Sequence, residues 1–271
     1  MPIDVDRYRI RPGETVDLAA RDPADREAFA GDKEAGLARL AQLTERLDEL
    51  QETLYAEGER RLLVVLQAMD AGGKDGTIRN VFSRVDPLGV RVQSFRAPTE
   101  IEKAHDFLWR IHAQVPARGE IAVFNRSHYE DVVVARIHEL VPEALWSKRY
   151  DHIVAFERML HDEGTTIVKL FLHMSKEEQR KRLQERLDDP RKHWKAREGD
   201  LRERRLWPAY MEAYGEAIGR TSTDAAPWYV VPADRNWYRN LLVAQILVST
   251  LRALDLRLPG LRPDVTSRVV E

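Results

Sequence analysis

The sequence predicts an α/β fold with a parallel, five-stranded sheet and helices on both of its faces. Short apolar runs alternate five times with helical segments, which is the pattern of a sheet built from strand–helix–strand units. The first run, RLLVVLQ, is almost entirely apolar, as expected for a strand that is covered on both faces. Ligands of such folds bind at the carboxyl ends of the strands, so the residues that follow each strand are the first candidates for a site.

The chain begins with an irregular stretch over 1–31, which is followed by a predicted helix over 32–57. The leucines of this helix repeat every three or four positions and form one apolar face. They are Leu40, Leu43, Leu47, Leu50 and Leu54. This face allows two interpretations, a contact with a second chain or packing of the helix on its own core.

The remaining predicted strands and helices follow in alternation. After RLLVVLQ, the predicted strands are VRVQSF, EIAVFN (120–125), TTIVKLFLHM (165–174) and PWYVVPA (227–233). Helices are predicted over about 77–84, over 99–115 with a capping box of Thr99 and Glu102, over about 129–140 and over 236–254. The stretch 175–220 contains two basic helical segments and predicts a hairpin inserted over the edge of the sheet.

The composition excludes several classes of protein. Apolar residues make up 43% of the 271 residues, enough for a folded core, and the absence of cysteine excludes disulfides and cysteine-ligated metals. Lysine and arginine number 43 against 45 aspartates and glutamates, so the formal charge of -2 excludes a uniformly basic nucleic-acid-binding surface. A local basic channel is compatible with this charge. The polar N-terminus and the lack of an apolar span of about 20 residues predict a cytoplasmic protein without a membrane partner.

A glycine-rich turn (67–77, QAMDAGGKDGT) lies between the first strand and the next helix. Backbone N–H groups in this context can surround a phosphate, glycines allow close approach, and Lys74 adds a positive charge. The turn departs from the G-x-x-x-x-G-K-[ST] pattern, because Ala68 replaces the first glycine and Asp75 replaces Ser or Thr. A plain connection with a surface lysine is the alternative. The predicted phosphate-binding residues here, besides Lys74, are Ala71, Gly72, Gly73, Asp75, Gly76 and Thr77.

Oxygen-bearing side chains near the turn predict a bound cation. Asp70 would repel phosphates unless a cation lay between them, so it points to Mg²⁺, or Mn²⁺ in its place; a residue that stabilises the turn is the alternative. The third strand ends in NRSHYED, where Asn125 and Glu130 are candidate metal ligands and Arg126 can fork onto phosphate oxygens. The same residues fit a helix start capped by Ser127, and both interpretations can hold together.

The insertion over 175–220 concentrates positive charge opposite the glycine-rich turn. Arg182 and Arg186 lie one helical turn apart, and Lys192 and Lys195 belong to a second basic set around Trp194. A solvated helix face is the usual explanation of such a pattern, and a lid that binds anions is the other. Pro208 either breaks a helix here or begins a new one in its first turn.

Together, these segments are similar to those of the polyphosphate kinase 2 family, over about Tyr8 to Leu258. They are QAMDAGGKDGTIRNVF, AHDFLWRIH, GEIAVFNRSHYEDV, FERMLHDEGTTIVKLFLHMSKEEQRKRLQERLDDPRKHWK and RTSTDAAPWYVVPADRNWYRNL. The resemblance implies a P-loop kinase-like fold of the thymidylate-kinase type. We expect an N-terminal extension and helix over 1–57, a kinase-like domain over 58–258 with the lid at about 175–220, and a tail over 259–271.

The resemblance also implies roles for individual residues. It makes Asp70, Lys74, Arg126 and Arg186 the candidate catalytic residues. It assigns Arg182, Lys192 and Lys195, with Arg186, to a basic lid that binds phosphate. Asn125 and Glu130 resemble the class III branch, which accepts AMP as well as ADP, whereas other branches have Asp at position 125. Gly72 and Pro208 depart from the residues common in the family, which are Ala or Ser and Asp, respectively.

The expected reaction moves the terminal phosphoryl group of inorganic polyphosphate to AMP or ADP, reversibly and with Mg²⁺. The expected partners are polyphosphate and adenine nucleotides, with guanine nucleotides also compatible, and no nucleic acid. The resemblance implies a homodimer or homotetramer. Two alternatives are an ATP-dependent nucleoside-phosphate kinase and a non-enzymatic module that binds nucleotides or RNA.

Overall fold

A five-stranded sheet forms the centre of the computed structural model, which describes residues 3–260. Its strands are β1 (Arg61–Gln67), β2 (Val90–Ser94), β3 (Ile121–Asn125), β4 (Thr165–His173) and β5 (Trp228–Pro232). All four pairings are parallel, and the order across the sheet is β2-β3-β1-β4-β5. The predicted α/β class and its five parallel strands are confirmed.

Ten α-helices surround the sheet within residues 3–260. They are α1 (Lys33–Glu57), α2 (Lys74–Val81), α3 (Glu100–Lys103), α4 (Trp109–His112), α5 (Glu130–Ile137), α6 (Glu143–Asp162), α7 (Lys176–Asp188), α8 (Glu198–Arg205), α9 (Trp207–Thr221) and α10 (Asn236–Ala253). Short 3-10 helices occupy Asp6–Tyr8, Pro87–Gly89 and Pro190–Lys195. None of the helices in the described part of the chain is long and apolar enough to cross a bilayer.

Alternate residues of β1 enter two different cores. Leu62 and Val64 pack in a core that includes α1 and α10, and Leu63 and Val65 pack in a core that includes α5, α6 and α9. This alternation follows from the two-residue period of a strand. Both faces of β1 are apolar because both are covered by helices.

The leucine face of α1 is buried within the chain. The five leucines that define it range from 0% to 8% exposed, and the helix packs along α10. Asp32 caps its N-terminus by accepting a hydrogen bond from the Ala35 backbone N–H, and Gly58 ends it in the left-handed conformation. The structure therefore supports packing of α1 on its own core. Residues 3–31 are mostly irregular, as predicted.

The predicted hairpin over 175–220 is wrong in its second half. Residues 176–205 lie over the carboxyl end of the sheet and are named the lid here, but α9 belongs to the core. Tyr210, Ala213 and Ile218 of α9 are 0% to 6% exposed, since the apolar face of this helix packs against α5 and α6. Pro208 stands in the first turn of α9. Backbone N–H groups in a first turn have no intrahelical acceptor, so the proline costs the helix no hydrogen bond.

Two further predicted elements differ from the structure. The helix predicted over 99–115 is divided into α3 and α4, because the Asp106 carboxylate accepts a hydrogen bond from the Leu108 N–H and forms a turn between them. The capping box of Thr99 and Glu102 at the start of α3 is confirmed. No element was predicted over 143–162, where α6 forms. Most of the predicted tail over 259–271, from 261 onward, lies outside the described residues.

Candidate functional site

The glycine-rich turn joins the end of β1 to the start of α2. Two of its residues have left-handed backbone conformations, Ala71 with φ 62° and Gly73 with φ 97°. A Cβ atom at Gly72 would lie 2.5 Å from the Ala68 Cβ, so a side chain has no room there. Gly73 is the residue before the first turn of α2, whose N–H groups lack intrahelical acceptors. The turn thus offers backbone donors and the positive end of a helix to an anion.

Lys74 is enclosed by the turn rather than displayed on the surface. Its side chain is 9% exposed, and its Nζ donates a hydrogen bond to the Ala68 carbonyl oxygen at 2.8 Å. Burial, and then the nearby Arg126, lower the pKa of Lys74 to about 8, against the opposing effect of the Asp70 carboxylate. The interpretation of the turn as a plain connection with a surface lysine does not fit this geometry.

Arg126 links the end of β3 to the turn. It adopts a left-handed conformation with φ 65°, which brings its Nη2 to 2.7 Å from Asp70 Oδ1 and its Nη1 to 3.7 Å from Glu130 Oε2. Burial disfavours the charged guanidinium, but Glu130 and Asp70 outweigh it and raise the pKa of Arg126. Loss of surrounding water raises the pKa of Glu130. Oppositely charged groups are therefore concentrated at the carboxyl ends of β1 and β3.

Two polar contacts complete this part of the site. Asn125 Nδ2 donates to Asp75 Oδ1 at 2.8 Å, which joins the end of β3 to the first turn of α2. Ser127 Oγ accepts a hydrogen bond from the Tyr129 N–H at 3.2 Å. The predicted capping of the helix by Ser127 is wrong, because α5 begins only at Glu130, its N-cap residue is Tyr129, and no side chain caps it. Thr77 is fully buried, and its hydroxyl oxygen has no hydrogen-bond partner among the described residues.

The lid closes over the turn and leaves a cavity of about 640 Å³ between them, named here the loop–lid cavity. Arg186, Lys195 and Arg197 reach it from the lid, and Asp70 and Arg126 reach it from the sheet. Its complete lining is Asp70, Ala71, Gly72, Gly73, Lys74, Asp75, Gly76, Ser94, Phe95, Arg96, Ala97, Asn125, Arg126, Arg186, Lys195 and Arg197. A larger cavity of about 1040 Å³ lies between residues 13–21 and α9 and contains none of the turn residues.

Two of the predicted lid residues do not line the loop–lid cavity. Arg182 is mostly buried and donates to the Ala71 carbonyl oxygen at 3.3 Å and to the Ala233 carbonyl oxygen at 2.6 Å, so it holds α7 against the turn. Lys192 lies 2.5 Å from Glu185 Oε1, on a partly exposed part of the lid. Their predicted contact with phosphate stays a prediction.

The sequence and the fold both match known proteins. A family model described as polyphosphate kinase 2 (PPK2) matches residues 30–258. The chain belongs to the polyphosphate kinase 2 family. The resemblance identified from the motifs is confirmed, and the match extends from α1 past the end of α10.

Individual polyphosphate kinase 2 relatives cover nearly the whole chain. A Meiothermus ruber protein named AMP/ADP-polyphosphate phosphotransferase is 60% identical over 97% of this chain and 98% of its own length. A Rhodopseudomonas palustris protein named ADP-polyphosphate phosphotransferase is 43% identical over 97% of this chain and 95% of its own. The crystal structure of polyphosphate kinase 2 from Arthrobacter aurescens TC1 superimposes with a TM-score of 0.93, at 47% identity, and covers 96% of this chain and 94% of that one.

The oxygen donors of this polyphosphate kinase 2 site suit a cation whose coordination shell is completed by the phosphates of bound substrates. Asp70, Asn125 and Glu130 offer oxygen ligands near the glycine-rich turn, but no group of three or more His, Asp or Glu residues within 3–260 is arranged to hold a metal alone. Mg²⁺ usually binds one or two carboxylates, several waters and substrate phosphates. The donor set agrees with that mode of binding.

Some residues of the site were not assigned from the sequence. Arg96 and Arg197 line the loop–lid cavity. Arg96 could have been found, because it lies two residues beyond the carboxyl end of β2. Gln179 donates to the Asp70 carbonyl oxygen at 2.9 Å, and Arg239 packs behind the turn. Nothing in the local sequence distinguishes these last two residues, since tertiary packing alone brings α7 and α10 to the turn.

Proposed function

We propose that this protein transfers the terminal phosphoryl group of inorganic polyphosphate to AMP or ADP, giving ADP or ATP, in a reversible reaction. The observation that carries the proposal is the loop–lid cavity, where the glycine-rich turn, Arg126 and the lid residue Arg186 converge. A cavity with basic groups on opposite walls suits two phosphate chains that meet end to end. The names of the two curated relatives support the same donor and acceptors.

The reaction needs the substrates to be positioned more than it needs a strong base. An oxygen of the acceptor phosphate attacks the terminal phosphorus of polyphosphate, and the bond to the bridging oxygen breaks, so the shortened chain keeps the electron pair. The second pKa of a phosphate monoester is about 6, so the attacking oxygen is already ionised at pH 7. The barrier lies in bringing two polyanions together, which fixed positive charges reduce.

The charged residues of the cavity divide this task. Lys74 and the N-terminus of α2 bind phosphate oxygens from one side, and Arg186 and Lys195 bind them from the lid. Arg126 can donate two hydrogen bonds to the transferred phosphoryl group, because its guanidinium lies between the turn and the third strand. Asp70 holds Arg126 in this position through the 2.7 Å contact.

Mg²⁺, with Mn²⁺ as an alternative, would be held by Asp70 with Asn125 and Glu130. When bound, it supplies positive charge to the phosphate oxygens and orients them. The pair of Asn125 and Glu130 also supports acceptance of AMP as well as ADP, as in the class III branch. A homodimer or homotetramer, a cytoplasmic location and the use of guanine nucleotides stay predictions.

One assay tests the proposed function directly. Purified protein is mixed with ADP, Mg²⁺ and polyphosphate as the only phosphoryl donor, and we expect ATP to form. Asp70→Asn should lose turnover while it keeps the thermal midpoint of the wild type. If no ATP forms from polyphosphate but AMP is phosphorylated by ATP, the protein is an ATP-dependent nucleotide kinase instead.

A further inference from the structure

The first turns of α10 place a buried arginine directly behind the glycine-rich turn. Arg239 is 2% exposed and is not part of the lining of the loop–lid cavity. Its Nη1 donates to Asn236 Oδ1 at 2.7 Å, and its Nε and Nη2 donate to Asn240 Oδ1 at 3.1 and 2.9 Å. All of these acceptors are neutral amide oxygens.

The guanidinium of Arg239 fills the space that the glycines of the turn leave open. A Cβ atom at Gly73 would lie 2.0 Å from Arg239 Nη1, and one at Gly76 would lie 3.4 Å from Nη2. The positive charge therefore sits against the backbone of the residues predicted to surround a phosphate. Gly73 and Gly76 line the loop–lid cavity, whereas Arg239 does not.

No negatively charged group in the described part of the chain balances Arg239. Among residues 3–260, no carboxylate forms an ion pair with its guanidinium within 4.0 Å, and the charged neighbour that affects its pKa is Arg182. Burial, and then Arg182, lowers the pKa of Arg239 to about 9, so it stays charged at pH 7. Its place near the N-terminus of α10 adds further repulsion, because that end of a helix is positive. A buried cation without a counterion is unfavourable.

We propose that Arg239 is a positioning residue whose charge is balanced by the polyphosphate bound on the other side of the turn. The inference rests on the proposed function, because it takes polyphosphate as the anion in the loop–lid cavity. Arg239 does not touch the substrate. It holds the turn through Gly73 and adds a fixed positive charge behind it, so the ligand-free protein is less stable and the phosphate-bound protein is more stable.

Asn240→Asp is the most informative variant, because it gives Arg239 a carboxylate partner where an amide oxygen already lies at 2.9 Å. We expect this variant to have a higher thermal midpoint without ligand and a dissociation constant for polyphosphate about tenfold higher than the wild type. Arg239→Gln, which removes the charge, should also weaken binding. Arg252→Gln, which changes an exposed arginine of the same helix, is the matched control and should bind as the wild type does.

The measurements are calorimetric titration with polyphosphate of one defined length, thermal unfolding with and without it, and ATP synthesis by the same preparations. A purely structural role of Arg239 predicts a changed thermal midpoint in Asn240→Asp but an unchanged dissociation constant, which would overturn the inference. If the wild type makes ATP from polyphosphate while Asn240→Asp binds it normally, only this inference fails. If the wild type neither binds nor uses polyphosphate, the proposed function fails and the inference fails with it.

Discussion

Lys74 has to carry a charge to bind phosphate, yet it lies in a place that disfavours that charge. Burial, aided by Arg126, lowers its pKa to about 8 in the ligand-free protein. Below that pH the amine is protonated, and above it the free protein loses the charge. We therefore predict that kcat/KM for polyphosphate decreases as the pH rises through about 8, because this parameter reports the ionisation of the free enzyme.

The pH profile of kcat provides the internal control for this prediction. A bound phosphate favours the protonated amine, so the corresponding decrease in kcat should occur at a higher pH. Initial rates of ATP formation over pH 6.5 to about 10 give both profiles. A kcat/KM that stays constant up to pH 9.5 would show that Lys74 is not the charge on which binding depends.

Asn125 and Asp75 form a second pair whose role can be tested by exchange. Asn125→Asp would place two carboxylates at the 2.8 Å contact that now joins β3 to α2. We expect a loss of about 1 kcal/mol in the free energy of unfolding. We also expect ADP formation from AMP to decrease more than ATP formation from ADP, because other branches of the family have Asp at this position. The double variant Asp75→Asn with Asn125→Asp restores one amide and one carboxylate. Thermal unfolding should show recovery, and its absence would contradict the pairing.

Much of the site at this scale could be predicted because strand ends determine where residues meet. Asp70, Lys74 and Arg126 follow β1 and β3, which are neighbours in the sheet, so they converge without detailed knowledge of packing. Arg182 and Arg186 lie one turn apart on the same helix, yet Arg182 bonds protein carbonyl oxygens and Arg186 lines the cavity. Sequence spacing could not separate these two environments, since both depend on how α7 rests on the turn.

At the scale of whole elements, the prediction was strongest for strands and weakest for the second half of the insertion. The central strands β1 and β3 are nearly continuous apolar runs, as expected for strands covered on both faces, whereas β2 (VRVQS) is only partly buried. Residues 175–220 are basic up to Arg205 and then become apolar on one face, where Tyr210, Ala213 and Ile218 enter the core. The apolar spacing of Trp146, Tyr150 and Ile153, which are buried in α6, fits a helix, so this element could have been predicted from the sequence.

An ion pair joins α7 and α8, the two α-helices of the lid. Arg186 Nη1 lies 2.9 Å from Asp200 Oδ2, and Asp200 is 9% exposed. Burial raises the pKa of Asp200, the Asp70 carboxylate raises it further, and Arg186 opposes the increase. Asp200 thus neutralises part of the positive charge that Arg186 brings to the loop–lid cavity.

We predict that Asp200→Asn increases the affinity for polyphosphate, because it removes the carboxylate that is paired with Arg186 and leaves an oxygen that can still accept a hydrogen bond from Arg186. The KM for polyphosphate should decrease about threefold to tenfold, a change of about 1 kcal/mol. Glu198→Gln, which neutralises an exposed carboxylate of the same helix, is the control and should leave KM unchanged. A higher KM in Asp200→Asn would mean that the ion pair is needed to hold the lid in place.

Positive and negative charges nearly balance over the whole molecule, whereas positive charges predominate in the loop–lid cavity. The formal charge is -2, yet Lys74, Arg126, Arg186 and Lys195 all line one cavity. Attraction of a polyanion therefore depends on a local concentration of cations, and salt screens it over about 10 Å at 0.1 M ionic strength. Negative charge elsewhere on the surface limits non-specific binding of other polyanions.

This uneven distribution predicts a strong and selective effect of salt. A long phosphate chain that contacts about four cations displaces the counterions bound along it, so the logarithm of its affinity should decrease with the logarithm of the salt concentration with a slope of roughly -3. ADP, which carries fewer charges, should show a much shallower slope. Steady-state KM values for both substrates in a series of NaCl concentrations test the prediction. Equal slopes for polyphosphate and ADP would contradict it, because the long anion would then gain nothing from the cations that surround the cavity.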